Sequence, residues 1–185
     1  MSDGPSRPRI TPLADDRDPP PLNIFRTLAR NKGLEKGFLA LGGHLLFTGA
    51  VPEREREIVI LRVGWRSGSE YEFGQHTTIG RRAGLTQGEI DRLADADGGE
   101  WSDADAALVD LADELCRDDI VTQSTWDRLA ARWTEEQLLE LLVLAGYYRL
   151  VSGMLNSVGV ALEAGTPGWP AASSPVRWAP RDAAP

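Results

Sequence analysis

Apolar residues recur along this chain at helical spacing, and no stretch shows the strict alternation of a half-buried strand. Leu22 to Arg30 forms a short amphipathic segment with Asn23 as its candidate N-cap. A second helix is predicted from Leu34 to Phe47, where Gly42-Gly43 permits a close helix contact or makes a weak point. Pro52 stands where an N1 proline belongs, and Glu53 and Glu55 fall in the first turn that the helix dipole favours. The run Ile58-Val59-Ile60-Leu61, continuing through Val63 and Trp65, is apolar nearly all round and predicts a buried helix. Gly68 breaks it. Ser69 then has capping-box spacing to Glu72, and Gly84 ends the helix they open. Thr86-Gln87-Gly88-Glu89, Ser102, and Thr122 or Ser124 start three more helices. Thr134-Glu135-Glu136-Gln137 is a full capping box ahead of a long apolar helix from Leu138 to Leu162. The fold class this pattern predicts is an all-α bundle.

The two ends differ in composition. Residues 1–21, rich in Pro, Asp, Arg and Ser, read as a flexible extended arm. Residues 22–165 form the predicted helical domain. Residues 166–185 carry Pro167, Pro170, Pro175, Pro180 and Pro185, yet also Trp169 and Trp178. Tryptophan seldom sits in a solvated tail, so part of this segment is expected to lie across the globular body or a neighbouring subunit.

Composition narrows the function. At 185 residues, 42% hydrophobic and 26% charged, the chain suits one soluble domain. A net charge of -8 repels phosphate backbones and anionic lipid, which argues against nucleic-acid and membrane partners. A substrate carboxylate would need a local arginine. Cys116 is the one cysteine, so an intrachain disulfide, a CxxC pair and a cysteine-rich metal site are excluded. No apolar leader opens the chain and no membrane-spanning run is expected, which points to a cytoplasmic location. Two histidines among scattered carboxylates predict no metal site, and no phosphate-cradling or dinucleotide motif is present. No cofactor is expected.

The segment Glu57 to His76 concentrates the chemistry. Glu57 and Arg62 put charge into an apolar helix, where each needs a partner. On the next helix Ser69, Glu72 and His76 stand at i, i+3 and i+7, on one face. A carboxylate one turn before an imidazole can orient it and raise its basicity, the preparation for acid–base work near neutral pH. Tyr71 supplies a neighbouring phenol. Blander roles stand beside these: a surface ion pair of Glu57 with Arg54 or Arg56, a helix cap for Ser69, and a capping role for Glu72.

The string Pro52-Glu53-Arg54-Glu55-Arg56-Glu57-Ile58-Val59-Ile60-Leu61-Arg62, followed by Glu70-Tyr71-Glu72-Phe73-Gly74-Gln75-His76, resembles the carboxymuconolactone decarboxylase family, which includes alkyl hydroperoxidase D-like proteins. The likeness spans roughly residues 20–165 and implies a helical bundle of the hydroperoxidase D type. It also implies a homo-oligomer: a dimer, trimer or hexamer. In the family's redox branch a glutamate precedes CxxC, with a histidine four residues after the second cysteine. The glutamate falls on Glu57 and the histidine on His76, while the cysteines fall on Ser69 and Glu72 and the residue before the second cysteine on Tyr71. Neither Ser nor Glu replaces a peroxidatic or resolving thiol, so peroxide reduction is not expected.

What remains implies cofactor-independent acid–base chemistry, by a decarboxylase or a related lyase, isomerase, dehydratase or cyclase, on a small carboxylated or lactone-type molecule. His76 would move the proton, Glu57 or Glu72 would orient it, and Arg62 would hold an anionic group. Tyr71, Ser69, Asn156 and His44 complete the candidate substrate contacts, with Tyr147 and Tyr148 near Asn156 on the last helix. His44 reads first as a core histidine satisfied by a backbone carbonyl, and Asn156 reads at least equally as a packed core group. The acidic stretch Asp103 to Asp119 reads as a solvated helix face. A catalytically silent scaffold or small-molecule-binding protein of the same fold is the alternative, with a thiol peroxidase third.

Overall fold

The computed structural model describes residues 7–18, 20–96 and 100–171. Among the described residues eight helices follow one another: α1 (Asn23–Leu28), α2 (Lys32–Phe47), α3 (Glu53–Arg66), α4 (Glu70–Arg82), α5 (Gln87–Leu93), α6 (Asp103–Asp118), α7 (Gln123–Ala130) and α8 (Glu135–Val158). No strand occurs among the described residues.

Helix α3 is the hub, packed on α4, α6 and α8. Every residue from Arg56 to Arg66 is buried, as an all-round apolar helix requires. Ile58, Ile60, Leu61 and Trp65 are almost wholly enclosed. Each such aliphatic side chain contributes about 1.5–3 kcal/mol relative to exposure. α3 ends in a Schellman turn: Gly68 takes φ +61°, and Ser69 N–H donates to Gly64 C=O. The turn reverses the chain so that α4 runs back along α3. At Gly80 an added Cβ would lie 3.1 Å from Leu85 and 3.3 Å from Leu61, so a larger residue there would push those leucines aside by a few tenths of an ångström.

The capping signals were mostly legible. Thr86 and Thr134 form complete capping boxes with Glu89 and Gln137, and the side chains of Ser102 and Thr122 cap α6 and α7. Three expectations fail. Pro52 is the N-cap of α3, one place before the first helical position where it was expected. Leu22 is the N-cap of α1, while Asn23 is its first helical residue and donates instead to Ala161 C=O. Ser69 is the N-cap of α4 without any side-chain cap, and the Glu72 side chain pairs with His76 instead of completing a box.

α8 stops at Val158, where Gly159 takes φ +74°. With 24 residues and a window of mean hydropathy 1.5, it is long and apolar enough to cross a membrane, contrary to the expectation that no run would be. One face of it, with Leu141, Leu144, Tyr148, Val151 and Leu155, is core.

Both arms lie on the domain where they are described. Arg9 N–H donates to Val158 C=O, and Leu13 exchanges hydrogen bonds with Arg26. Trp169 stacks on Phe73 with ring centroids 5.1 Å apart. Trp178, Pro175, Pro180 and Pro185 lie outside the described residues.

Candidate functional site

Two antiparallel helices and a short third wall create the site. Residues 71, 72, 75, 76 and 79 share one face of α4, since a helix returns to the same side after one and two turns. That face looks across a cavity of about 230 Å³. α1 closes it with Ile24 and Phe25, α2 with Phe38, Gly42 and Phe47, and α8 with Tyr147, Tyr148 and Val151. The described lining holds no arginine or lysine.

At its floor three residues form a line. His76 Nδ1 lies 2.6 Å from Glu57 Oε2, and His76 Nε2 lies 3.1 Å from Glu72 Oε1. Glu57 is fully buried, Glu72 and His76 nearly so. An imidazole between two carboxylates donates through both nitrogens, which makes it an imidazolium. Burial by itself lowers the basicity of His76, but the charges and hydrogen bonds of Glu57 and Glu72 outweigh it and raise the pKa to about 10. Arg56 Nε also donates to Glu57 Oε1, at 3.3 Å. With both carboxylates ionised, Arg56, Glu57, His76 and Glu72 carry no net charge, which is how they tolerate burial.

Glu57 is behind the histidine and outside the cavity lining, while Glu72 is in it. The second carboxylate oxygen of Glu72 has no hydrogen-bond partner among the described residues. Glu72 and His76 both line the cavity, a carboxylate held against an imidazolium.

Around this line the polar groups are mostly committed. Tyr71 Oη donates to Glu163 Oε1 at 2.9 Å and accepts from Ile24 N–H. Gln75 Nε2 donates to the other oxygen of Glu163, and Asn23 N–H donates to Oε1. Tyr147 Oη donates to Phe38 C=O. Glu163 thus ties α1 to α4. Nothing in its sequence neighbourhood announced it, because it follows the last helix and meets α4 only through the fold. Gln75 could have been found: it stands one turn after Tyr71, beside the histidine.

Residues 33–112 match the carboxymuconolactone decarboxylase family. The matched stretch runs from α2 into α6 and includes the helices that carry Glu57, Glu72 and His76. Solved structures of similar fold agree, although their sequences are distant. An uncharacterized peroxidase-related protein from Ralstonia eutropha JMP134, described as an alkylhydroperoxidase AhpD core, is 20% identical, with TM-score 0.69 and 76% of each chain covered. An uncharacterized peroxidase-related protein from Silicibacter sp. TM1040 has TM-score 0.74 at 14% identity, covering 90% of this chain and 99% of its own. A variant of the debrominase Bmp8 in complex with 2,3,4-tribromopyrrole has TM-score 0.70 at 17% identity, covering 88% of this chain and 95% of its own. No curated protein matches the chain in sequence.

The candidate residues expected from the sequence separate into two groups. Glu57, Glu72 and His76 converge, and Tyr71 lines the cavity beside them. Four others do not reach it. Arg62 is wholly buried on another side of α3, about 140° around the helix from Glu57. It grips Asp113 through Nε at 2.6 Å and Nη2 at 2.8 Å, and donates to Leu93 C=O and Asp95 C=O. Arg66 binds the same Asp113, so that half-buried aspartate is an anchor and the acidic face of α6 is not wholly solvated. Ser69 is enclosed with its Oγ unpartnered, away from the cavity. Asn156 Nδ2 donates to Ser67 C=O, which pins the α3–α4 turn. His44 is exposed, with Nδ1 3.0 Å from Thr48 Oγ1. Cys116 on α6 is outside the cavity lining, and burial pushes its thiol pKa up to about 11.

Proposed function

We propose that this protein is a cofactor-independent acid–base enzyme, a lyase or isomerase, acting on a small neutral carbonyl compound of the lactone type. One observation carries the reading: Glu72 presents an uncommitted carboxylate oxygen to an apolar cavity and is backed by His76 and Glu57. Glu72 is the group that takes and returns the proton. His76 and Glu57 are positioning residues that hold it in place and balance its charge. This reverses the roles expected from the sequence, because an imidazolium with both N–H groups engaged is a poor base. Return of the proton to a different carbon gives isomerisation, and departure of a β-substituent gives elimination.

A free carboxylate, as decarboxylation requires, would meet Glu72 with no arginine or lysine in the described lining, at a large desolvation cost. The cavity therefore favours the lactone over the carboxylated substrate. The family match supports enzymatic activity. The tribromopyrrole held by the similar debrominase is a substituted single ring, a size this cavity admits. The peroxidase reading has no thiol among the described lining residues. Exposed Leu139, Val143 and Leu150 on α8 accord with the homo-oligomer implied by the family.

The test is NMR-detected deuterium uptake from heavy water by a panel of lactones and vinylogous acids, comparing wild type with Glu72→Gln. Enzyme-dependent uptake that falls by about 100-fold or more in the variant supports the reading. Uptake unchanged in Glu72→Gln refutes it. Saturable binding of panel members without exchange points to the small-molecule-binding alternative.

A further inference from the structure

Removing a proton from carbon leaves negative charge on the substrate's carbonyl oxygen, and that charge needs a preorganised donor outside water. The Tyr71 and Tyr147 hydroxyls and the Gln75 amide nitrogen in the cavity wall are already spent, on Glu163, Phe38 C=O and Glu163 respectively. Tyr148 differs. Its ring is held edge-on against His76, with centroids 5.0 Å apart, and against Tyr147 at 5.4 Å. Its hydroxyl has no hydrogen-bond partner among the described residues. Trp65 Nε1, Ser69 Oγ and Ser152 Oγ are also unpartnered but sealed in packing, whereas the Tyr148 oxygen is not among those sealed atoms and its residue lines the cavity.

Building on the acid–base reading above, we infer that the Tyr148 hydroxyl holds the substrate oxygen while Glu72 moves the proton, and that the substrate is a neutral, ring-sized carbonyl or enol. A cavity of about 150 Å³ accommodates one benzene ring. The roughly 230 Å³ here admits one to two rings, against walls built from Phe25, Phe38 and Phe47. α8 supplies the oxygen donor and α4 the carboxylate, so the ligand spans the gap between them.

The step balances. The carbon–hydrogen pair stays with the substrate as the enolate, the proton goes to Glu72, and Glu72 plus substrate keep a charge of one throughout. The imidazolium of His76 is unchanged. Tyr148 donates its hydrogen bond without losing its proton, since burial first and then the Glu72 charge hold its pKa well above the ordinary phenol value. Return of the proton from Glu72 to carbon restores the starting enzyme.

The probes are 2-naphthol, which carries one ring oxygen, and naphthalene, which carries none. Both are measured by calorimetry against wild type, Tyr148→Phe and Glu72→Gln. Tyr148→Phe removes one oxygen and keeps the ring, so naphthalene binding also reports that the cavity is intact. The expected result is naphthol affinity weakened about 3- to 10-fold in Tyr148→Phe with naphthalene affinity within two-fold, since one hydrogen bond is worth about 0.5–1.5 kcal/mol. Equal weakening for both probes, no weakening for naphthol, or no naphthol binding to wild type would each overturn the assignment. Binding is read without turnover, so failure of the acid–base reading shows separately, as absent deuterium uptake with the Tyr148-dependent naphthol preference intact.

Discussion

Glu57→Gln keeps the shape of a fully buried side chain and deletes its charge, which isolates what holds His76 in its protonated form. In the native protein burial works against that form, and the two carboxylates overcome it, leaving the pKa at about 10. Two unit charges roughly 4 Å apart at an effective dielectric of about 20 attract by about 4 kcal/mol, or about 3 pKa units. The variant should therefore bring His76 down to around 7. Stability follows with a fixed sign. A histidine raised above its unfolded value of 6.5 stabilises the fold fully below pH 6.5, and that contribution is lost as pH rises toward 10. Wild type should lose on the order of a few kcal/mol across that window. Glu57→Gln should start less stable by about 3–5 kcal/mol, having stranded Arg56 and His76, but should lose little more between pH 7 and 10. Long-range proton–nitrogen NMR of the imidazoles measures the titration directly. The sequence has two histidines, and His44→Gln assigns them. A wild-type His76 that titrates below pH 8, or one that Glu57→Gln leaves unmoved, would refute the reasoning.

Three further outcomes are expected. Arg62→Met should cost about 3 kcal/mol in urea denaturation, by stranding the Leu93 carbonyl and weakening the grip on Asp113, while ligand affinity at the cavity stays unchanged. Ser69→Ala removes a buried hydroxyl that has no partner and should be neutral or stabilising within about 1 kcal/mol; a loss above about 2 kcal/mol would contradict it. Cys116 should react with a disulfide reagent at pH 8 at least about 100-fold more slowly in the native protein than in denaturant, because its thiolate is scarce near a pKa of about 11.

Much of the fold could be read from the chain because its determinants are local. Helical periodicity, the Thr86 and Thr134 boxes, and the glycines at the ends of α3 and α4 need only residues a few positions apart, whereas the stop of α8 at Gly159, short of the expected Leu162, was not read. The motif Glu57 to His76 could be read for the same reason: one helical hairpin carries it, and the Schellman turn at Gly68 fixes its pairing. What eluded the sequence were directions and partners. Arg62 belongs to the same helix as Glu57, and only the packing of α6 on another face of α3 shows that it serves Asp113 rather than a ligand. Glu72 fits a helix cap and a pocket carboxylate equally well by spacing.

The amino-acid sequence determined that the chain is helical, where most helices begin, and that a glutamate and a histidine face each other across α3 and α4. The tertiary structure alone decided which of the motif's side chains line the cavity. It set Glu57 behind His76 and Glu72 in front, left the Tyr148 hydroxyl unspent while Glu163 engaged Tyr71 and Gln75, and kept every arginine and lysine out of the described cavity lining. The physical reason is that helix formation depends on neighbours within about four residues. The protonation and orientation of a buried polar group depend instead on charges and hydrogen bonds brought from distant parts of the chain.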